Sequence, residues 1–283
     1  VDIEGKTLYE YYPDKQDCKT WEFDRMVSTV VPETDSTVVV SLQDEIVRVN
    51  LNDGSLSSVA PIPDYEGKVR CNDGKCDPAG RLWIGTMGFG APKGAGTLYT
   101  VVPAGTVETK LEKVTISNGI VWSANKKYMY YNDTPTGKVA RYRYDEKTGE
   151  ILFDGVAVTL PPGSGAPDGM TIDSNDNLWV AQWGGFGVYC YNPYTGELLG
   201  KVEVPADEYT VTKDAAANKV TVTATKGNKN YKGSKTVSAV VTDPTEKPAT
   251  PMISSVKFTG NKATVILSGD SEGAAGYDYV IST

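Results

Sequence analysis

The sequence predicts an all-β protein: an incomplete β-propeller of about four and a half blades over residues 1–206, then a small β-sandwich-like tail. Three observations predict this. Short strand patterns recur at a nearly constant interval, no stretch sustains a helical period, and the composition changes near residue 206.

The repeats come first along the chain. A polar turn followed by a strand with an aromatic or aliphatic pair appears as DPAGRLWIGTM (77–87), SANKKYMYYND (123–133) and DSNDNLWVAQW (173–183). Leu82 to Met129 is 47 residues, and Met129 to Leu178 is 49. A second pattern, a strand closing on a polar hairpin, appears as VNLNDGSL (49–56), RYDEKTGEI (143–151) and CYNPYTGEL (190–198). Repeats of about 40–50 residues carrying several short strands mark propeller blades, and a sandwich of this length would not keep the interval.

Beyond Pro205 the texture changes to alternating Thr, Val and Lys, as in NKVTVTAT (218–225) and KTVSAVVT (235–242). Such period-2 runs, bounded by Asn, Gly and Lys, read as half-exposed strands. DPTEKPATP (243–251) has three prolines and reads as a stiff linker, after which MISSVKFTG, NKATVILSG and GYDYVIST add three strands. The expected divisions are therefore a propeller at 1–206, a small β module at 207–247 and a further β segment at 248–283. All five Trp and all four Cys precede the first of these boundaries. Nine Lys against eight acidic residues leave +1 from 207 onward, so the total of −8 puts −9 on residues 1–206.

The totals exclude several classes of function. A net charge of −8 argues against nucleic acid as a partner, because that binding needs clustered Lys and Arg. No apolar run approaches the roughly 18 residues of a membrane-spanning helix, so no membrane span is expected. The chain opens VDIEG, with neither an initiator Met nor a signal peptide, and reads as a mature or cut chain. The absence of any histidine removes Ser-His-Asp and Cys-His catalysis and imidazole-based zinc sites. Cys18, Cys71, Cys76 and Cys190 lack C-x-x-C spacing and read as buried free thiols rather than a disulfide framework.

Three clusters stand out from the repeat background: RCNDGKCDPAGRLWIGTM (70–87), ISNGIVWS (116–123) and APDGMTID (166–173). Each places an amide or carboxylate close to a Gly, where a tight turn is expected. Asn72 to Asn118 is 46 residues and Asn118 to Asp168 is 50, so all three fall at the same point of successive blades. Equivalent points of propeller blades converge on the central channel, which would set Arg70, Asn72, Asn118 and Asp168 around one pocket. Amide and carboxylate oxygens suit a hard divalent cation: Ca²⁺, Mg²⁺ or Mn²⁺, with Zn²⁺ as a further option. Such an ion would polarise an ester carbonyl and acidify a bound water, while Arg70 would hold substrate hydroxyls or a developing oxyanion.

These clusters, together with GGFGVYCYNPYTGELLGKVEVP, resemble the senescence marker protein/gluconolactonase/luciferin-regenerating enzyme family, the regucalcin-like sugar lactonases, over residues 1–206. The resemblance implies a six-bladed propeller type with one divalent cation, Ca²⁺ first among the candidates, and a sugar lactone as substrate. It assigns Asn118 and Asp168 as metal ligands, Asp168 also as the group assisting the attacking water, and Arg70 and Asn72 as substrate-positioning groups. A third family ligand, a Glu in a G-E-G-P-x-W-type segment, has no counterpart here, and Glu4 does not match that motif. The tail resembles bacterial surface modules, with residues 250–283 similar to the first strands of a fibronectin type III domain. The propeller resemblance points to the cytoplasm and the tail resemblance to the cell surface. Two other readings stand beside the lactonase: a non-catalytic surface or binding protein, and a fragment or chimera of a lactonase-like propeller with adhesive β modules.

Overall fold

Polar turns between alternating apolar strands fold the first part of the chain into a series of antiparallel meanders. The structure, a computed structural model, describes residues 1–12, 14–15, 17–63 and 65–203, and beyond them six strands between 209 and 282. Two compact units divide the chain, Val1–Glu203 and Val204–Thr283.

In the first unit β1 (Thr7–Tyr12) and β2 (Asp17–Glu22) form a hairpin. Four four-stranded sheets follow. The first holds β3 (Val27–Pro32), β4 (Thr37–Leu42), β5 (Glu45–Asn50) and β6 (Leu56–Pro61); the second holds β7 (Val69–Cys76), β8 (Leu82–Gly88), β9 (Gly96–Val101) and β10 (Val107–Val114). The third holds β11 (Ser117–Trp122), β12 (Tyr128–Asp133), β13 (Lys138–Tyr144) and β14 (Ile151–Thr159). The fourth holds β15 (Ala166–Ile172), β16 (Leu178–Trp183), β17 (Gly187–Tyr191) and β18 (Leu198–Glu203). A 3-10 turn at Thr134–Thr136 is the only helical element among the described residues. Four meanders and a hairpin are the four and a half blades that the repeat interval predicted. The first strands β3, β7, β11 and β15 pack side by side in that order and form the inner wall.

Both sequence repeats have a physical cause. The first is the turn from the inner strand to the second strand. Asp77 caps it by accepting from the Ala79 and Arg81 N–H groups at 2.9 Å, and its other oxygen accepts from Trp83 Nε1 at 3.0 Å. Asp173 repeats this with Asn175 N, Asn177 N and Trp179 Nε1. The second repeat is the hairpin from the third strand to the fourth. The Gly54, Gly149 and Gly196 N–H groups each bond the carbonyl of the residue four earlier at 2.8 Å. Gly54 does so at φ +75°, a left-handed conformation that side chains with a Cβ rarely adopt.

The core lies between blades rather than within them. Val121, Tyr130 and Val158 of the third blade meet Met170, Leu178, Val180 and Tyr191 of the fourth. Trp83 and Leu98 of the second meet Trp122, Met129 and Tyr131 of the third, with Trp83 and Trp122 edge-to-face at 5.7 Å. Ile46 and Ile62 face Ile84 and Tyr99, and Leu8 and Trp21 of the hairpin cover Val27, Val40 and Leu42. Each fully buried aliphatic side chain contributes about 1.5–3 kcal/mol, so every blade depends on its neighbour for stability.

All four cysteines are free. Cys71 and Cys190 are buried as expected, Cys76 is only half-buried, and Cys18 is exposed, because the two-stranded sheet has only Trp21 to bury on β2. No helix among the described residues is long and apolar enough to cross a membrane.

In the second unit the strands are β19 (Tyr209–Asp214), β20 (Lys219–Ala224), β21 (Ser238–Thr242), β22 (Met252–Thr259), β23 (Lys262–Ser268) and β24 (Asp278–Ser282). One sheet runs β19-β20-β23-β22, and β21 pairs with β24, so strands from both sides of residue 247 share both sheets. The expected linker at 243–251 and the division at 247 fall outside the described residues.

Candidate functional site

Three inner strands carry the same irregularity at the same place. On β7 the pairing passes from Cys71–Thr86 directly to Gly74–Ile84. On β11 it passes from Ser117–Asp133 to Ile120–Tyr131, and on β15 from Pro167–Gln182 to Met170–Val180. Each is a β-bulge with two residues opposing one, which frees side chains from the ladder and re-aims them. By register Asn72, Asn118 and Asp168 are equivalent, as are Asp73, Gly119 and Gly169. The opposing residues are Gly85, Asn132 and Ala181.

The expected tight turns are therefore not present. Asn118–Gly119 and Asp168–Gly169 lie inside strands, and none of Gly74, Gly119 and Gly169 has positive φ. What Gly119 supplies is space. A Cβ there would stand 2.5 Å from the Asp168 carbonyl oxygen and 2.8 Å from Asn132 Nδ2.

Hydrogen bonds link the bulges from blade to blade. Thr29 Oγ1 donates to the Asn72 carbonyl at 3.1 Å, and Asn72 Nδ2 donates to the Ser117 carbonyl at 2.7 Å. Asn132 Nδ2 donates to the Asp168 carbonyl at 2.8 Å, and Lys75 Nζ reaches the Met170 carbonyl at 3.0 Å. Arg70 Nη1 donates to Asn72 Oδ1 at 2.8 Å and to the Cys71 carbonyl at 2.9 Å. Both ends of the Asn72 amide are thus engaged by protein, and its geometric effect is to hold Arg70 and the next inner strand. Asn118 is buried and turns Nδ2 to Thr134 Oγ1 at 3.1 Å, which fixes the plane of its amide. The Gly169 N–H donates to Asp168 Oδ1 at 2.8 Å.

The electrostatics add two residues that spacing alone missed. Burial pushes the Asp73 carboxyl above the ordinary range, against the Gly74 N–H and Lys75, and the Asp168 charge adds to the rise. Burial also lowers Lys75, opposed by Asp73. Asp73, Lys75 and Asp168 therefore share one charged neighbourhood on the inner wall. Burial lowers Arg70 in the same way, opposed by Glu4 and Cys71. Glu4, which matches no ligand motif, still lies close enough to act on Arg70. Both Asp73 and Lys75 were visible within RCNDGK, but the positions equivalent to Asp73 are glycines, so the blade interval carried no sign of it.

Asn132 is the third such residue. It is completely buried, and its Oδ1 has no hydrogen-bond partner among the described residues. Leaving a buried acceptor unsatisfied costs about 1–3 kcal/mol, more than the bond from its Nδ2 returns.

The donor set fits a hard divalent cation in kind: an amide held in plane by Thr134 and a carboxylate with one oxygen tied by Gly169. Among the described residues no three Asp, Glu or Cys side chains gather into a metal-holding cluster. A cation here would take its remaining oxygen ligands from water or substrate.

A propeller with oxygen donors from successive inner strands is the class that the fold and the site define. The chain matches the SMP-30/gluconolactonase/LRE-like region over residues 1–226, and it belongs to that family. Regucalcin of Oryctolagus cuniculus is 34% identical over 215 residues, covering 74% of this chain and 72% of that protein. The solved luciferin-regenerating enzyme superposes with a TM-score of 0.68 at 30% identity, covering 82% of each chain. A regucalcin of Agrobacterium tumefaciens, described as a calcium-binding protein, gives 0.68 at 26% identity over 81% and 78% of the two chains. Family membership supports hydrolysis of sugar lactones in general. The match continues past the end of the first unit.

Proposed function

We propose that the protein is a divalent-cation-dependent hydrolase of sugar lactones whose site is the set of inner-strand bulges. The observation that carries the reading is the register: Asn72, Asn118 and Asp168 occupy the same bulge position on three successive blades. Asn118 and Asp168 are the residues that would hold the ion, with Ca²⁺ the first candidate in view of the calcium-binding relative. When bound, the ion supplies polarisation of the lactone carbonyl.

The chain's own groups divide the remaining work. Arg70, its guanidinium fixed by Asn72, presents donors to sugar hydroxyls or to oxygen charge developing on the ring-opening ester. Asp168 accepts the proton of the attacking water through the carboxylate oxygen that Gly169 does not hold. The inter-blade aromatic core behind Asn118 keeps bulk water from the far side of the inner strands.

Calorimetry with Ca²⁺, Mg²⁺, Mn²⁺ and Zn²⁺ separately, paired with a proton-release assay on gluconolactone, tests the reading. Heat of binding with at least one ion is expected, together with turnover that Asp168→Ala lowers by about a thousandfold. Failure to bind any of the four ions, with no hydrolysis in their presence, would leave the non-catalytic binding reading in its place.

A further inference from the structure

Asp168 sits in a bulge, so its backbone carbonyl falls outside the regular pairing of β15 with β16. That carbonyl is met instead by Asn132, from the neighbouring blade. Two residues on, the Met170 carbonyl is met by Lys75, from the blade beyond. The bulge is thus held on both sides by side chains that belong to other sheets. We propose that Asn132, assisted by Lys75, is a positioning residue that sets the direction of the Asp168 carboxylate.

The blade architecture does not need an amide at this position. The register-equivalent residues opposite the other two bulges are Gly85 and Ala181, both small and apolar. At Gly85 the space that a side chain would fill is taken by Ser117 of the next blade. Over the third blade the same space is left for Asn132 to cross.

Stability alone does not account for the choice of residue either. Asn132 leaves its Oδ1 buried and unpartnered among the described residues, whereas a Leu of the same branching would strand no acceptor on that residue. A side chain kept at a cost to the fold points to a use outside it. Gly119 completes the picture, because a Cβ there would stand in the path from Asn132 to Asp168.

Direction passes from the clamp to the carboxylate through the peptide. The Asp168 carbonyl and the Gly169 N–H belong to one planar peptide unit, and that N–H also grips Asp168 Oδ1. Turning the peptide therefore turns the carboxylate. Asn132 fixes the carbonyl end, so it fixes the other end too.

The inference rests on the lactonase reading for its functional consequence and on hydrogen bonding for its structural one, and the experiment separates them. Asn132→Leu and Asn132→Val both remove the donor, and the smaller second side chain guards against misfit of the first. Amide exchange at Gly169 is expected to accelerate by about tenfold or more in both, at an unchanged melting temperature. Calorimetric affinity for Ca²⁺ alone is expected to weaken by about tenfold, and kcat on gluconolactone to fall by a similar factor with KM held within about twofold. Unchanged Gly169 exchange in both variants overturns the clamp, whatever the protein binds or hydrolyses. Faster exchange with wild-type Ca²⁺ affinity and kcat overturns the positioning role. A wild-type protein that neither binds ions nor hydrolyses lactone sinks the lactonase reading, while Gly169 exchange still decides the clamp.

Discussion

Asp73 lies in the bulge within one inner strand and Asp77 four residues on, just past that strand's end, and their surroundings are opposite. Asp77 accepts from Trp83, Arg81 and Tyr144 side chains as well as two backbone N–H groups, and its side chain is fully buried. Burial pushes its carboxyl up, yet the bonds from Trp83, Arg81 and Tyr144 win and hold it below the ordinary range. Asp73 has the Gly74 N–H, a Lys75 that is bonded elsewhere, and a second carboxylate nearby. One end of the blade turns every polar group into stability. The bulge keeps charge that the fold does not fully satisfy, a feature that clusters at functional sites in proteins generally.

The largest expected effect lies at the satisfied end. Asp77→Ala strands the Arg81, Trp83 and Tyr144 donors together, and urea denaturation should show a loss of about 3–5 kcal/mol. A loss below about 1 kcal/mol would erase the contrast.

Next come the glycines of the bulges. Gly119→Ala drives a Cβ against a backbone carbonyl and should cost about 1–3 kcal/mol by the same measurement. Gly169→Ala meets nothing within 4 Å and should stay within about 0.5 kcal/mol, although it occupies the equivalent position.

A stabilising change is expected at the unsatisfied end. Asp73→Asn removes a charge that burial and Asp168 disfavour, so the melting temperature at pH 7 should rise by a few degrees. The sign follows from the raised carboxyl. The native state prefers Asp73 protonated, so its ionisation costs stability as pH rises through the folded value. The advantage of the Asn variant should therefore vanish below the ordinary aspartate range. Asp77 runs the other way, its contribution present above that range and lost as the pH falls through its lowered folded value. Melting curves of the wild type, Asp73→Asn and Asp77→Asn across the acid range up to pH 8 check the two signs together.

A modest effect belongs to the outer hairpins. Gly54→Ala should cost about 1 kcal/mol through its left-handed backbone alone, and Gly54→Asn less. Thermal melts that rank Gly54→Ala above Gly119→Ala would show that conformation, not crowding, governs both classes of glycine.

These contrasts also explain what the sequence could and could not reveal. Blade count and the equivalence of Asn72, Asn118 and Asp168 were legible because they recur, and a recurring interval survives in one sequence without any structure. The bulges were not legible. An Asn-Gly or Asp-Gly pair reads the same in a turn and in a strand, and only the register separates them. Asp73, Lys75 and Asn132 escaped for the opposite reason: each is the exception at its blade position, and periodicity hides exceptions. Cys18 misled because a hairpin of two strands has too little apolar surface to bury a thiol.

The reach of Lys75 has a consequence for how the molecule is assembled. Its partner carbonyl lies 95 residues further along the chain, with an entire blade between them. A ribosome that has released the chain only through β14 has already delivered the lysine but nothing for it to grasp. Its ammonium group waits in water until the fourth meander arrives. The fourth sheet thus locks the geometry of the second, which was made two blades earlier.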